Sequence, residues 1–179
     1  TVAIDSSVRG NNATYVGNPT LNVGGTNSAN GTAVELNGSS QYVTAGKSLL
    51  NGLQKFSLSV WVRPDSLTPD KSFVGQNGLI ELGIDTQTDR IDLWTSNGGS
   101  ISATAPLAMS KWSHVVAVGE GTNLRLYVNG SEVGSGGSST SNYGTNTGAF
   151  KIGEGVLTAS GGYFDGRFDD VRVYSRAIC

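Results

Sequence analysis

The chain has 179 residues, a net charge of −2 and only 15% charged residues, and Gly, Ser, Thr and Asn together fill 78 positions. Those four residue types are poor helix formers, so the composition excludes a helical bundle, and the length suits a single domain over residues 1–179. The 12 basic residues are scattered and no apolar run is long enough to span a membrane, which argues against a nucleic-acid-binding surface and against a membrane segment.

About a dozen short strands are predicted, because apolar and polar residues alternate with the period of two that a half-buried strand shows. The clearest alternation covers residues 56–63, and similar patterns cover 90–94 and 124–128. The other candidate strands are 32–37, 41–45, 72–75, 79–84, 101–104, 113–119, 131–135, 149–153 and 163–174. Asn129 and Gly130 predict a tight hairpin, since both tolerate positive φ. No helical period connects the strands, so the pattern predicts an all-β fold with two antiparallel sheets in a sandwich.

Two other features concern the loops and the last residue. Residues 134–148 contain Gly, Ser, Thr and Asn with only Tyr143 for bulk, and they predict a long surface loop. Cys179 is the only cysteine, so an internal disulfide and a cysteine-based metal cluster are both excluded.

Six segments of the chain, in order, resemble the concanavalin A-like, laminin G-like jelly-roll domains. They cover residues 34–38, 41–43, 56–64, 112–117, 124–130 and 164–177. The resemblance implies a two-sheet antiparallel jelly roll of the concanavalin A-like type. It also implies an accessory module of a secreted or cell-surface protein, one that binds glycans or other proteins and often holds a structural calcium ion.

A calcium site is implied by residues 5–12, which resemble the Asp-x-Ser-Gly-x-Asn segment of that family. In the family this segment supplies calcium ligands together with an acidic residue of the last strand. Carboxylate, amide and backbone oxygens in a compliant loop suit calcium, which takes about 6–8 oxygen ligands. We therefore expect Asp5, Asn12 and Asp169 to bind calcium.

Asp169 is the expected ligand from the last strand because it is predicted to lie on the apolar side of that strand. It shares this side with Val171 and Val173, and a carboxylate among apolar side chains needs a metal or a charged partner. The alternative is that Asp169 pairs with Arg9 or Arg172 and that the N-terminal carboxylate caps a turn.

The sequence contains no catalytic constellation. Glu81 and Asp85 lie on one side of a predicted strand but lack the third carboxylate of laminarinase-type hydrolases, and Glu81 is interpreted as solvated. His114 is the only histidine, which excludes a zinc-binding histidine pair, and we interpret it as hydrogen-bonded within the sandwich. The chain is therefore expected not to be an enzyme.

Three aromatic residues are predicted on the polar sides of strands, where they could contact a ligand. Trp61 is predicted to lie opposite the core side of its strand, Trp94 lies with Asp92 outside a buried Ile and Leu, and Tyr127 is outward on its own strand. Sugar rings pack on aromatic side chains while their hydroxyls bind carboxylates and amides. The alternative is that loops cover these aromatics and form a small second core, which applies best to Trp61 and Tyr127.

Tyr143 and Tyr163 are second-choice ligand contacts, because both lie in Gly-rich segments expected to form rim loops. Loop aromatics can equally hold such loops in place. Trp94 is the main candidate, since its counterpart in the family is usually small or polar.

These features together predict a non-catalytic, extracellular binding module of a larger protein, with a polysaccharide or other glycan as its partner and a structural calcium ion. The alternative is a protein–protein adhesion or spacer module that binds no glycan.

Overall fold

The computed structural model describes residues 1–26, 31–85, 90–104, 107–155 and 161–178, and Cys179 lies outside these described residues. Fifteen strands and no helix occur in these ranges. The strands are β1 (Val2–Ala3), β2 (Ala13–Val16), β3 (Thr20–Gly24), β4 (Thr32–Asn37), β5 (Tyr42–Thr44), β6 (Phe56–Pro64), β7 (Lys71–Gln76), β8 (Ile80–Ile84), β9 (Arg90–Thr95), β10 (Gly99–Thr104), β11 (Ser113–Gly119), β12 (Leu124–Val128), β13 (Ser131–Gly136), β14 (Phe150–Ile152) and β15 (Asp165–Tyr174). None of the described segments is a helix with the length and apolar character to cross a membrane.

The strands form two antiparallel sheets. The eight-stranded sheet has the order β1-β2-β5-β14-β7-β8-β9-β10, and the seven-stranded sheet has the order β13-β12-β11-β6-β15-β4-β3. Strands from both ends of the sequence enter the same pair of sheets, and the chain passes repeatedly from one sheet to the other. The predicted jelly-roll sandwich is confirmed.

One apolar cluster fills the space between the sheets. Leu58 of β6 and Leu93 of β9 contribute to it from opposite sheets, and both are fully buried. Phe164 packs edge-to-face on Phe73 with ring centroids 5.5 Å apart, and it lies 4.6 Å from the Phe168 ring. Large aromatic rings bury more apolar area than any other side chains, so this group is a major source of the sandwich's stability.

The hairpin at Asn129 and Gly130 is confirmed. Their φ angles are 51° and 82°, as a tight turn that matches the twist of the flanking strands requires. Sequence reasoning missed β1, β2 and β3, which are two to five residues long. Such short strands separated by Gly and Asn carry too few alternating positions to stand out.

Tyr143 is a core residue, which corrects its prediction as a ligand contact. Its side chain is 0% exposed and packs edge-to-face on Phe56 at 4.8 Å between centroids. Its hydroxyl accepts a hydrogen bond from the Gly121 N–H at 3.0 Å. A Cβ on Gly98 would lie 2.5 Å from the Tyr143 ring, so glycine is needed for this close approach. The segment 134–148 is therefore anchored in the core by its one large side chain.

A β-bulge in β15 changes the side of the sheet that Asp169 occupies. The register against β6 shifts between Asp169 and Arg172, and Asp170 has a φ of 47°. Asp169 lies opposite Trp61, on the outward side, whereas Val171 packs against the core. The prediction that Asp169 shares a side with Val171 was wrong, because the extra residue of a bulge shifts the alternation.

The core position of Tyr143 predicts the effect of truncating it. Tyr143→Ala should lower the free energy of unfolding by about 3–5 kcal/mol, because it leaves a cavity beside Phe56. Tyr143→Phe, which removes only the hydroxyl bond to Gly121, should cost about 1 kcal/mol. Urea unfolding followed by tryptophan fluorescence measures both, and equal midpoints for Tyr143→Ala and wild type would contradict the core assignment.

Candidate functional site

The outward side of the eight-stranded sheet, called the front face below, carries a row of residues that crosses the strands. The register places Ser100, Trp94, Glu81, Gly75 and Lys151 opposite one another on β10, β9, β8, β7 and β14. Neighbouring strands are about 4.8 Å apart, so the distance along this row from Trp94 to Lys151 is about 14 Å. The row thus has the length of an extended binding surface.

Trp94 is the exposed aromatic side chain of this row, with 36% of its surface accessible. The turn that follows it is closed by a hydrogen bond, which the Thr95 hydroxyl accepts from the Gly98 N–H at 3.0 Å. The neighbouring loop is tied to the same turn, since the Asn97 side-chain amide donates to the Asn142 carbonyl at 3.2 Å. Trp94 therefore lies beside a polar, hydrogen-bonded rim at one end of the front face.

Asp92 supplies a carboxylate next to the indole. It lies two positions before Trp94 on the same side of β9, and the Ser102 hydroxyl of β10 donates to its Oδ1 at 2.6 Å. The pKa of Asp92 is raised above its usual value, mainly by partial burial and further by the negative charge of Asp85. The Ser102 hydrogen bond and the positive charge of Arg90 lower this pKa but do not cancel the rise. Asp92 is thus held in a fixed orientation by its neighbour across the ladder.

Glu81 lies directly across from Trp94 on β8 and is only 7% exposed. Its Oε1 accepts a hydrogen bond from the Gly78 N–H in the preceding turn. Burial raises the pKa of Glu81 to about 7; the Gly78 hydrogen bond opposes this shift, and the negative charge of Asp92 adds to it. The interpretation of Glu81 as a solvated residue was wrong, because the side chain folds back over the turn.

The other end of the front face has two tyrosines and an ion pair. The Tyr42 and Tyr163 rings lie 6.3 Å apart, and Lys151 Nζ is 5.3 Å from the Tyr42 centroid. Lys151 also pairs with the nearly buried Glu154. This end therefore offers aromatic surface with a cation whose charge is already compensated.

The outward side of the seven-stranded sheet, called the back face below, uses its aromatics for contacts within the protein. The Trp61 ring stacks on His114 with centroids 5.0 Å apart, and His114 Nε2 is hydrogen-bonded to the Ser59 hydroxyl at 2.8 Å. Burial lowers the pKa of His114, and the histidine is hydrogen-bonded as predicted. Tyr127 is hydrogen-bonded to Arg125, which raises the pKa of the Arg125 guanidinium.

The six predicted ligand residues are therefore not brought together. Asp92, Trp94 and Tyr163 lie on the front face, Trp61 and Tyr127 lie on the back face, and Tyr143 lies in the core. Only the first three remain as candidates for a shared site.

Sequence reasoning missed Tyr42, Lys151 and the buried state of Glu81. Lys151 stands between Phe150 and Ile152 of a three-residue strand, so an outward side chain could have been predicted from the alternation. Its position beside Tyr42 depends on the pairing of β14 with β5, which no local pattern reveals.

Two of the predicted calcium ligands, Asp5 and Asn12, lie together in the N-terminal loop, whereas Asp169 makes separate contacts. Both carboxylate oxygens of Asp5 accept hydrogen bonds from Ser7, and Oδ2 also accepts one from the Asn11 N–H at 2.7 Å. Asn12 Oδ1 accepts a hydrogen bond from the Asp5 N–H, whereas Asp169 Oδ2 accepts hydrogen bonds from Thr26. These oxygens accept hydrogen bonds within the protein, and the described residues contain no group of three or more His, Cys, Asp or Glu side chains that could hold a metal ion.

The sequence matches a family model described as the concanavalin A-like lectin/glucanases superfamily (Laminin_G_3) over residues 37–178. This range contains the whole candidate site and excludes the N-terminal loop with Asp5 and Asn12. No curated protein matches the chain.

Three solved structures show the same fold at low sequence identity. Domain 4 of AbnA, an extracellular arabinanase from Geobacillus stearothermophilus in complex with arabinotriose, is 21% identical with a TM-score of 0.72, over 93% of this chain and 84% of that one. The CBM40 of the Ruminococcus gnavus IT-sialidase, bound to α2,3-sialyllactose, is 14% identical with a TM-score of 0.68, over 82% and 91%. The binding domain of botulinum neurotoxin DC, in complex with SialylT, is 13% identical with a TM-score of 0.68, over 98% of this chain but only 46% of that one.

The burial of Glu81 predicts a pH dependence of stability. Its pKa is about 7 in the folded protein and about 4.5 in the unfolded chain, so between these values the folded state binds more protons and stability falls as the pH rises. Between about pH 4.5 and pH 8, Glu81 should lower the free energy of unfolding by about 1–3 kcal/mol, since one pKa unit corresponds to about 1.4 kcal/mol.

Urea unfolding at several pH values tests this dependence on wild type and Glu81→Gln. The Gln variant should gain stability relative to wild type as the pH rises. Glu132→Gln, on the back face, is the control and should follow the wild-type curve. Parallel curves for wild type and Glu81→Gln would show that the Glu81 pKa is not raised.

Calcium binding stays a prediction of the family resemblance, with a direct test. If Asp5 and Asn12 belong to a calcium site, a chelator should lower the melting temperature, added calcium should restore it, and Asp5→Asn should abolish the difference. An unchanged melting curve in excess chelator would reject the site and leave Asp5 as a residue that caps its own loop.

Proposed function

The chain belongs to the concanavalin A-like lectin/glucanases superfamily, and from this we propose that it is a non-catalytic glycan-binding module whose ligand docks on the front face. The observation that carries the proposal is the exposed Trp94, with carboxylate and hydroxyl side chains beside it. The indole packs against the C–H face of a sugar ring. Asp92 accepts hydrogen bonds from the sugar hydroxyls, and the Ser100 hydroxyl can donate to them or accept from them. Tyr42 and Tyr163 offer a second contact at the other end of the row.

The position of the ionisable groups supports binding without catalysis. Hydrolysis of a glycosidic bond requires two carboxyl groups that flank the bond, one to donate a proton and one to attack or to activate water. Glu81 is turned toward the Gly78 N–H and nearly buried, and Asp92 is hydrogen-bonded to Ser102. His114 is on the opposite side of the sandwich, hydrogen-bonded to Ser59.

Ligand-binding structures of the same fold support a glycan as the partner. Arabinotriose and α2,3-sialyllactose are the ligands named for two of them, and one belongs to an extracellular enzyme. We therefore place this module in a larger secreted or cell-surface protein, where it holds that protein on a polysaccharide or glycan. The affinity should be modest, because binding to a shallow hydrated face yields little net free energy.

Replacing Trp94 tests the proposal directly. Trp94→Ala should weaken binding to any glycan recognised on a glycan array by at least about tenfold, because it removes the main aromatic contact. Trp61→Ala is the matched control: it removes the same side chain from the back face, so it should lower thermal stability while leaving glycan binding intact.

Melting temperatures of both variants show whether a loss of binding reflects unfolding. No glycan bound above background by wild type, or binding lost in Trp61→Ala but kept in Trp94→Ala, would overturn the proposal. The first result would favour a protein-adhesion or spacer role.

A further inference from the structure

We propose that the front face selects uncharged glycans and rejects glycans that carry carboxylate or sulfate groups near the sugar ring bound by Trp94. This inference rests on the proposed function and adds to it the chemical class of the ligand. The observation behind it is the set of charged side chains that surround the indole.

Two carboxylates lie beside Trp94 on adjacent strands, and a third, that of Asp85, lies farther along the sheet, across from Arg90. Glu81 is directly opposite it on β8, and Asp92 is two residues before it on β9. Asp85 follows β8, and its side chain is linked to Asp92 through the hydroxyl of Ser102, which lies 3.4 Å from Asp85 and 2.6 Å from Asp92. A sugar stacked on Trp94 is therefore bordered by negative charge on two sides.

The cation nearest to this group is already engaged. The guanidinium of Arg90 donates from Nη2 to the Ser102 carbonyl at 3.3 Å, and its Nε is buried without a hydrogen-bond partner among the described residues. Its charge acts on Asp92, where it opposes the rise in pKa that burial causes. Arg90 thus partly compensates the charge of Asp92 while one of its guanidinium nitrogens is bonded to the Ser102 carbonyl.

The cation at the other end of the row is also compensated. Lys151 forms an ion pair with Glu154, and its ammonium group lies over the Tyr42 ring. It is three strands away from Trp94, about 14 Å along the row. Lys151 is therefore too far away to compensate a negatively charged substituent on a sugar bound at Trp94.

Neutral sugars suit this arrangement because a hydroxyl can donate a hydrogen bond to the Asp92 carboxylate, and such charge-assisted bonds are the stronger kind. An anionic substituent would lose water and face like charges in a partly buried setting, where Coulomb repulsion is several times larger than in bulk water. We therefore expect anionic glycans to bind at least about tenfold more weakly than their neutral counterparts.

Matched pairs of probes test the selectivity at pH 8, above the pKa of Glu81. Suitable pairs are lactose with 3′-sialyllactose, and neutral with uronic-acid forms of the same oligosaccharide, measured by calorimetry or on an array at low and high salt. Wild type should bind the neutral member at least about tenfold more tightly, and the difference should shrink in high salt because salt screens the repulsion.

Charge-removing variants identify the source of the selectivity. Asp92→Asn keeps the shape of the side chain and should raise the relative binding of the anionic member several-fold, and Glu81→Gln should act in the same direction. Glu132→Gln removes one negative charge from the back face and should leave the ratio unchanged, which separates a local effect from one of net charge.

The outcomes separate this inference from the proposed function. Anionic probes that bind as tightly as neutral ones, with binding lost in Trp94→Ala, would overturn the selectivity and leave the glycan-binding function standing. Binding of no probe, or binding that does not depend on Trp94, would overturn both.

Discussion

The burial of one side of each long strand in the space between the sheets is the constraint on which the rest of the structure depends. Along β9, Ile91 and Leu93 are fully or almost fully buried, so the residues between them must point away from the core. That requirement, rather than any local preference of tryptophan, places Trp94 and Asp92 together on the front face. The site is thus a by-product of core formation, and its rigidity comes from the same packing.

Trp61 and Trp94 show how identical residues at equivalent positions acquire different roles. Both are outward residues of strands paired on both sides, but the partner across the ladder differs: His114 lies beside Trp61 and Glu81 lies beside Trp94. A flat imidazole offers its own ring for stacking, whereas Glu81 turns away toward the Gly78 backbone and leaves the indole accessible. Local pairing therefore decides which tryptophan is available to a ligand.

The sequence was sufficient for the architecture and for part of the front face. Alternation in 56–63 and 90–94 identified the buried and outward sides of β6 and β9, because a regular strand has a fixed period. The side of the sheet on which Asp169 lies could not be predicted in this way, because the residue types alone do not reveal the extra residue in β15. The burial of Tyr143 could not be predicted for another reason, because it depends on Gly98 and Phe56, which are far away in sequence.

The grouping of Trp94, Glu81 and Lys151 also lay beyond the sequence. Each belongs to a different strand, and their common row exists only because β14 inserts between β5 and β7. Strand order in a jelly roll depends on contacts between distant parts of the chain, which the alternation within one strand does not encode. Residue chemistry could be assigned from the sequence, but the spatial arrangement of the residues could not.

The loop beside Trp94 is fixed mainly through its backbone and one aromatic anchor. The Ser138 and Thr140 N–H groups donate to the carbonyls of Gly98 and Gly121, and the side chains of Ser139 and Ser141 remain at the surface. Surface side chains of such a loop can be exchanged at little energetic cost, as in antibody loops supported by a constant framework. Evolution, or a protein engineer, can therefore diversify the rim of this sandwich and obtain new recognition without rebuilding its interior.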